Sequence, residues 1–168
     1  MSKRRDPNYQ VVFAPHPYPT DKPIVFLSGT IHYPPATDWR VHLQSSLFHL
    51  PITLLNPVRP DWDSSWKEDI NFPPFKEQVN WELGGMEASD VLAVYFGSNT
   101  EAPITLMELG LAAGKQGKRV VVACVDGYKK KGNVQVACEK YGIEVVRDEV
   151  ELARAVLVKL RELGVEGA

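Results

Sequence analysis

The sequence predicts a single α/β domain built on a five-stranded parallel sheet, and three observations lead there. Short apolar runs alternate with segments of helical periodicity from Ile24 onward. There are five such runs, and strand–helix alternation of this kind argues for a parallel sheet covered on both faces. The 168 residues are enough for one domain with a sizeable core and too few for two ordinary ones.

The elements follow in order. Five of the 13 prolines precede residue 24, as in Ala14-Pro15-His16-Pro17-Tyr18-Pro19. Proline fixes φ and removes donors, so residues 1–23 are expected to form an extended arm outside the core, loose or lying across a neighbouring subunit. Ile24 to Leu27 reads as a buried strand ending in a tight turn at Ser28-Gly29-Thr30. Asp38 can cap a helix carrying Trp39, Leu43, Leu47 and Leu50 at helical spacing, and Pro51 stops it. Ile52 to Leu55 is the second strand, closed by Asn56-Pro57. A polar, Trp-rich loop, Arg59 to Trp66, leads to Pro73-Pro74, which suits the start of a helix reaching about Ser89. Val91 to Phe96 is the third strand, a helix from about Ile104 to Gln116 follows, and Arg119 to Val125 is the fourth strand. Asn133 can cap a helix ending at Gly142, Ile143 to Val146 is the fifth strand, and Asp148 caps a last helix that Gly164 ends. Residues 24–168 thus form one domain. Right-handed crossovers make a doubly wound, flavodoxin-like or Rossmann-like sheet the economical layout.

Such sheets bind ligands at the carboxyl ends of their strands, near the switch point. The loops after the first strand (Ser28 to Tyr33) and the third (Gly97 to Pro103) should meet there, with the Trp-rich loop as a wall. Net charge is −2, which gives no field to attract nucleic acid or an anionic membrane. No apolar run is long enough to span a bilayer. Asp6, Pro7 and Asn8 interrupt the basic start where a secretion leader would need an apolar stretch, so a cytoplasmic location is expected. Cys124 and Cys138 read as buried free thiols, consistent with a reducing compartment.

Glu108, in Pro103-Ile104-Thr105-Leu106-Met107-Glu108-Leu109-Gly110, is the only acid between Glu101 and Asp126. Helical phase sets it among Ile104, Thr105, Ala112 and Lys115, which is compatible with a solvated face. Against that, the first turns of a helix at a sheet's carboxyl edge are a common place for a catalytic carboxylate, and Gly110 and Gly114 would let the helix pack close to the sheet.

The segment Ser89-Asp90-Val91-Leu92-Ala93-Val94-Tyr95-Phe96, followed by Leu106-Met107-Glu108-Leu109-Gly110, resembles the core of the nucleoside 2-deoxyribosyltransferases, and the loop Asn56 to Trp66 resembles their deoxyribosyltransferase-like branch. The likeness runs from about Ile24 to Val146. It implies retaining glycosyl transfer, with the glutamate at Glu108 attacking the anomeric carbon and a second carboxyl protonating the leaving base. The acid's place, eight residues before the strand-opening Asp90, is held by Glu82; Glu108, Glu82 and Asp90 are the candidate catalytic set. Substrates would be a nucleoside and a free base, with no cofactor, no metal and no nucleic-acid or membrane partner. Asn133 falls near where the resemblance places a sugar-binding asparagine donated by a neighbouring subunit, which implies a homo-oligomer.

The chain departs from the family pattern in three places, the first being Glu82 itself, whose longer side chain replaces the usual aspartate. Ala102 stands where an aspartate is common, with Glu101 beside it as a substitute. Phe26 replaces a tyrosine that hydrogen-bonds the nucleophile, with Tyr95 or Tyr33 as candidates to compensate. Trp62 and Trp66 can stack a planar base, while Asp61 and Asp63 bond its edge. Ser28, Gly29 and Thr30 offer hydroxyl and amide donors that would suit a phosphate, as would Lys129-Lys130-Lys131; His32 lies in the same first-strand loop. Two other functions stay open: an N-glycosidase using water as acceptor, and a non-catalytic nucleotide-sensing module.

Overall fold

The computed structural model of the protein describes residues 4–31 and 38–168, so His32 and Tyr33 lie outside the described residues. It is an α/β fold with a single parallel sheet and five helices. In chain order the elements are β1 (Gln10–Phe13), β2 (Ile24–Gly29), α1 (Trp39–Leu47), β3 (Thr53–Asn56), α2 (Pro73–Ala88), β4 (Val91–Phe96), α3 (Pro103–Ala113), β5 (Arg119–Cys124), α4 (Lys131–Tyr141), β6 (Glu144–Val146) and α5 (Glu149–Glu162).

The sheet has six strands, one more than expected, in the order β1-β3-β2-β4-β5-β6. The additional strand comes from the proline-rich segment. Gln10 to Phe13 pairs in parallel with Thr53 to Asn56 at the sheet's edge, the position where flanking prolines leave no ladder donor missing. The same segment folds back over its own domain: the Trp81 indole donates to the His16 carbonyl at 2.8 Å, and Tyr18 meets the Trp81 ring edge-on at 5.8 Å. Without β1 the order is the open, flavodoxin-like one.

Every residue of β3 and β4 is buried, which is why β4 reads as a continuous apolar run. Val91, Ala93 and Tyr95 join the core under α1 and α5. Leu92, Val94 and Phe96 join the opposite core with Phe26, Met86, Leu109 and Cys138, under α2, α3 and α4. Asp38 caps α1 as expected, accepting from the Arg40 amide at 2.8 Å, and Asp148 caps α5. The close helix–sheet approach expected at Gly110 occurs instead on α2. A Cβ on Gly85 would come within 3.0 Å of the Phe26 ring, whereas one on Gly110 would meet nothing.

From β2 the chain crosses to β3 on one side and then returns past β2 to β4 on the other. The switch point therefore lies between β2 and β4, whose carboxyl ends are Gly29 and Phe96. Among the described residues no helix is long and apolar enough to cross a membrane.

Candidate active site

The loops leaving β2 and β4 meet as expected. The Thr30 amide donates to the Tyr95 carbonyl at 3.0 Å, the Gly97 amide donates to Thr30 Oγ1 at 3.1 Å, and the Thr30 and Thr100 hydroxyls lie 3.3 Å apart. At Gly29 the two backbones are so close that an added Cβ would sit 2.5 Å from the Tyr95 carbonyl oxygen. Only glycine fits this exit. The β4–α3 loop holds two non-glycine residues in the left-handed region, Asn99 (φ 55°) and Ala102 (φ 44°), a conformation that costs about 1 kcal/mol or more for each.

Helix α3 delivers Glu108 to this edge in an unusual way. Its buried face consists of Thr105, Glu108, Leu109 and Ala112, whereas Ile104 and Met107 are 55% and 47% exposed. The helix thus shows apolar side chains to solvent and turns a carboxyl inward, and Glu108 is only 5% exposed. The solvated-face reading of this residue is therefore corrected. Ser28, the next-to-last residue of β2, donates its hydroxyl to Glu108 Oε2 in a short hydrogen bond. Burial pushes the Glu108 carboxyl up to about 7; the Ser28 hydrogen bond opposes this, the like charge of Glu82 adds to it, and Arg40 lowers it.

Glu82 comes from the middle of α2, and its carboxyl is likewise raised by burial, against a hydrogen bond from Gln78 and the charge of Arg40. Gln78 lies one turn earlier and donates from Nε2 to both Glu82 Oε1 and the Pro57 carbonyl, each at 2.8 Å. Arg40, 2% exposed, closes the floor: Nη2 donates to the Gly29 carbonyl at 2.7 Å, Nη1 to the Thr30 carbonyl at 3.0 Å, and Asp38 pairs with it at 3.2 Å. Glu108, Glu82, Gln78 and Arg40 all line one cavity of about 350 Å³, with Trp62 at its rim. That volume suits a nucleoside-sized molecule.

Other expected residues fall elsewhere. Asp90 sits at the amino end of β4, where its carboxyl accepts from the Ile24 amide at 2.8 Å. A six-residue strand places it roughly 20 Å from the edge that carries Glu108. Its visible work is to join β2 to β4. Glu101 is exposed and paired with Lys129 in a short contact, away from the cavity, so it does not stand in for the aspartate absent at Ala102. Asn133 is exposed on α4 and does not cap it, since the cap position is Lys130. Asp61 is held by Arg59 at 2.8 Å and Asp63 by the Ser65 amide at 2.8 Å; both are exposed. Trp62 is 43% exposed and borders the cavity, whereas Trp66 packs behind it, 5.0 Å from the Trp62 ring and beneath Arg59.

Tyr95 stacks on Trp39 at 5.2 Å in the core under α1, on the far side of the sheet from Phe26. It therefore does not replace the tyrosine missing at Phe26; Ser28, two residues further along the same strand, bonds the glutamate instead. Sequence reading assigned Ser28 to a phosphate loop and passed over Arg40 and Gln78. For Arg40 a signal existed: a cation in the first turn of a helix opposes the helix dipole and calls for another reason to be there.

A family model described as nucleoside 2-deoxyribosyltransferase like matches residues 22–128, more than half of the chain. Among solved structures, the crystal structure of a conserved protein from Enterococcus faecalis V583 is similar with a TM-score of 0.56 at 14% identity, covering 82% of this chain and 99% of that one. At that identity the likeness speaks for the fold. No curated protein gives a significant match.

Proposed function

We propose a function from one premise: the chain belongs to the nucleoside 2-deoxyribosyltransferase-like family. On this reading the protein exchanges the base of a 2-deoxyribonucleoside through a glycosyl ester on Glu108. The observation that carries it is the pair of buried carboxyls, Glu108 and Glu82, facing one nucleoside-sized cavity. The Glu108 carboxylate attacks C1′ while the C1′–N bond breaks, its electron pair leaves with the base, and the Glu82 proton goes to that base. A second base then attacks C1′, displaces Glu108 as carboxylate and returns a proton to Glu82. Two nearby carboxyls that repel each other share one proton readily, and this chemistry needs one ionised and one protonated.

The same geometry supports an unphosphorylated substrate. Ser28 Oγ, the Thr30 amide and Thr30 Oγ1 are all engaged within the protein. Arg40 and Arg59, the cations lining the cavity, are paired with Asp38 and with Asp61 and Glu77. Incubating the protein with a 2′-deoxynucleoside and a different free base should yield the exchanged nucleoside on chromatography. Free sugar at a rate indifferent to added base would make it a hydrolase, and no consumption at all would remove the proposal.

Trp62 at the rim is the aromatic that stacks the base. Trp62→Ala should raise KM by the equivalent of about 1–3 kcal/mol with little change in kcat. Trp66→Ala should act more weakly, through the support it gives Trp62. Equal kinetics for wild type and Trp62→Ala would leave the loop as packing only.

The exposed apolar side chains of the helix that carries Glu108, with Ile104 and Met107 bordering the cavity and Leu111 beyond it, support association of two or more copies beside the site. Asn133 lines no part of its own chain's cavity, so a role for it in sugar binding requires such a neighbour. Light scattering should give at least twice the 18.8 kDa of one chain. An active monomer would sink both ideas.

A further inference from the structure

We infer that Thr105 is a specificity-determining residue whose hydroxyl, one turn before Glu108 on the same face of α3, holds the 3′-hydroxyl of the sugar. The inference rests on the reading of this cavity as a nucleoside site with Glu108 as nucleophile.

Thr105 is 5% exposed and borders the cavity. It carries the one hydroxyl group among the described residues that line it. A helical threonine ordinarily satisfies its hydroxyl on the carbonyl four residues back. Here that carbonyl, of Glu101, accepts instead from the Tyr128 hydroxyl at 3.0 Å, and the Thr105 hydroxyl has no partner among the described residues. It is also within reach of a ligand. The Gln78 amide oxygen lacks a partner too but is sealed from solvent, whereas the Thr105 hydroxyl is not. A largely buried polar group left unmatched is costly, and native structures hold few of them. The other polar groups of the wall are already engaged: Arg40 and Arg59 pair with carboxylates, and Gln78 bonds Glu82. Glu68 has no such partner but stands exposed in the loop that carries Trp62, and so belongs with the base.

The stereochemistry of the displacement selects which sugar hydroxyl meets Thr105. In a β-nucleoside the base and C5′ stand on one face of the furanose and the 3′-hydroxyl on the other. Glu108 attacks C1′ from the face opposite the base, so nucleophile and 3′-hydroxyl share a side of the ring. Thr105 and Glu108 both lie on the buried face of α3. Side chains three positions apart on a helix have Cβ atoms about 5–6 Å from each other. With Glu108 bonded at C1′, the neighbouring threonine reaches the hydroxyl on C3′, two ring bonds away. The ring of 2-deoxyribose carries no other hydroxyl on that face.

The test compares 2′-deoxyadenosine with 2′,3′-dideoxyadenosine, and thymidine with 3′-deoxythymidine, on wild type, Thr105→Val and Thr105→Ser. Each is assayed as a sugar donor, and its affinity is measured by calorimetry in the inactive Glu108→Gln background. The 3′-hydroxyl should be favoured by about tenfold or more in both readouts. Thr105→Val keeps the shape and should bring both ratios close to one, whereas Thr105→Ser should keep the preference. Thr105→Val should melt no lower than wild type, because the hydroxyl bonds nothing in the folded chain. Equal handling of the two sugars by wild type, or an unchanged ratio in Thr105→Val, would overturn the inference. A Thr105→Val chain that melts several degrees lower would place the partner of the hydroxyl inside the protein and overturn it too. So would a wild-type preference for adenosine over 2′-deoxyadenosine that Thr105→Val abolishes, since the hydroxyl read would then be the 2′ one. A binding preference for the 3′-hydroxyl, lost in Thr105→Val, without any base exchange would keep the inference and refute the proposed reaction; exchange that ignores the 3′-hydroxyl would do the reverse.

Discussion

Glu108→Gln is expected to lower turnover by about three orders of magnitude or more while leaving the fold intact. The substitution keeps the shape and a hydrogen-bonding partner for Ser28 but removes the anion that must bond to C1′. It also carries a stability signature that a surface glutamate would not. The folded-state pKa of Glu108 is raised from 4.5 to about 7 by burial. A carboxyl raised in this way contributes its full stability below the unfolded pKa and loses it as pH rises through the folded one. Wild type should therefore lose stability between about pH 4.5 and pH 7, by ~3 kcal/mol at most, and Glu108→Gln should not. At pH 8 the variant should melt several degrees above wild type. A variant both inactive and less stable at pH 8 would point to structural damage and not to a missing nucleophile.

Glu82→Gln should cost roughly a hundred- to thousandfold with natural nucleosides, because the leaving base loses its proton donor. The loss should nearly vanish with a 2-deoxyriboside of p-nitrophenol, whose leaving group departs as the anion. The pH profile supplies a second readout. In wild type the acid limb of kcat/KM reports ionisation of Glu108 and the alkaline limb reports loss of the Glu82 proton, as macroscopic values of the pair. Glu82→Gln should abolish the alkaline limb. It should leave the acid limb in place, because on this assignment Glu82 is protonated and uncharged while Glu108 ionises. An alkaline limb that survives the substitution would assign the acid to another residue.

Much of the layout was legible because strand runs buried on both faces are apolar throughout and caps such as Asp38 and Asp148 act locally. The edge strand β1 was not, because its four residues lie among prolines and only its pairing with β3 identifies it. Helical periodicity placed Glu108 on a face of α3 without saying which face is inside. The exposed face, with Ile104, Met107 and Leu111, is as apolar as the buried one, so amphipathicity carries no direction there. Family-like spacing brought Glu108 and Glu82 to the same cavity but did not do so for Asp90, which shares the motif for a reason of sheet architecture. Ser28, Arg40 and Gln78 act through contacts across 80, 11 and 21 positions of chain, to Glu108, Gly29 and Pro57. No local pattern encodes such pairs; the fold has to bring them together.

The central claim is that Glu108 forms a covalent bond to the sugar. A 2-fluoro-2-deoxy nucleoside slows both formation and breakdown of that bond, and with a reactive leaving base the glycosyl-enzyme accumulates. Peptide mass spectrometry after this treatment should find the fluorosugar on the segment that contains Glu108, at one label per chain, and none on Glu108→Gln. The label on Glu82 or Glu101, or no label while base exchange proceeds, would contradict the account.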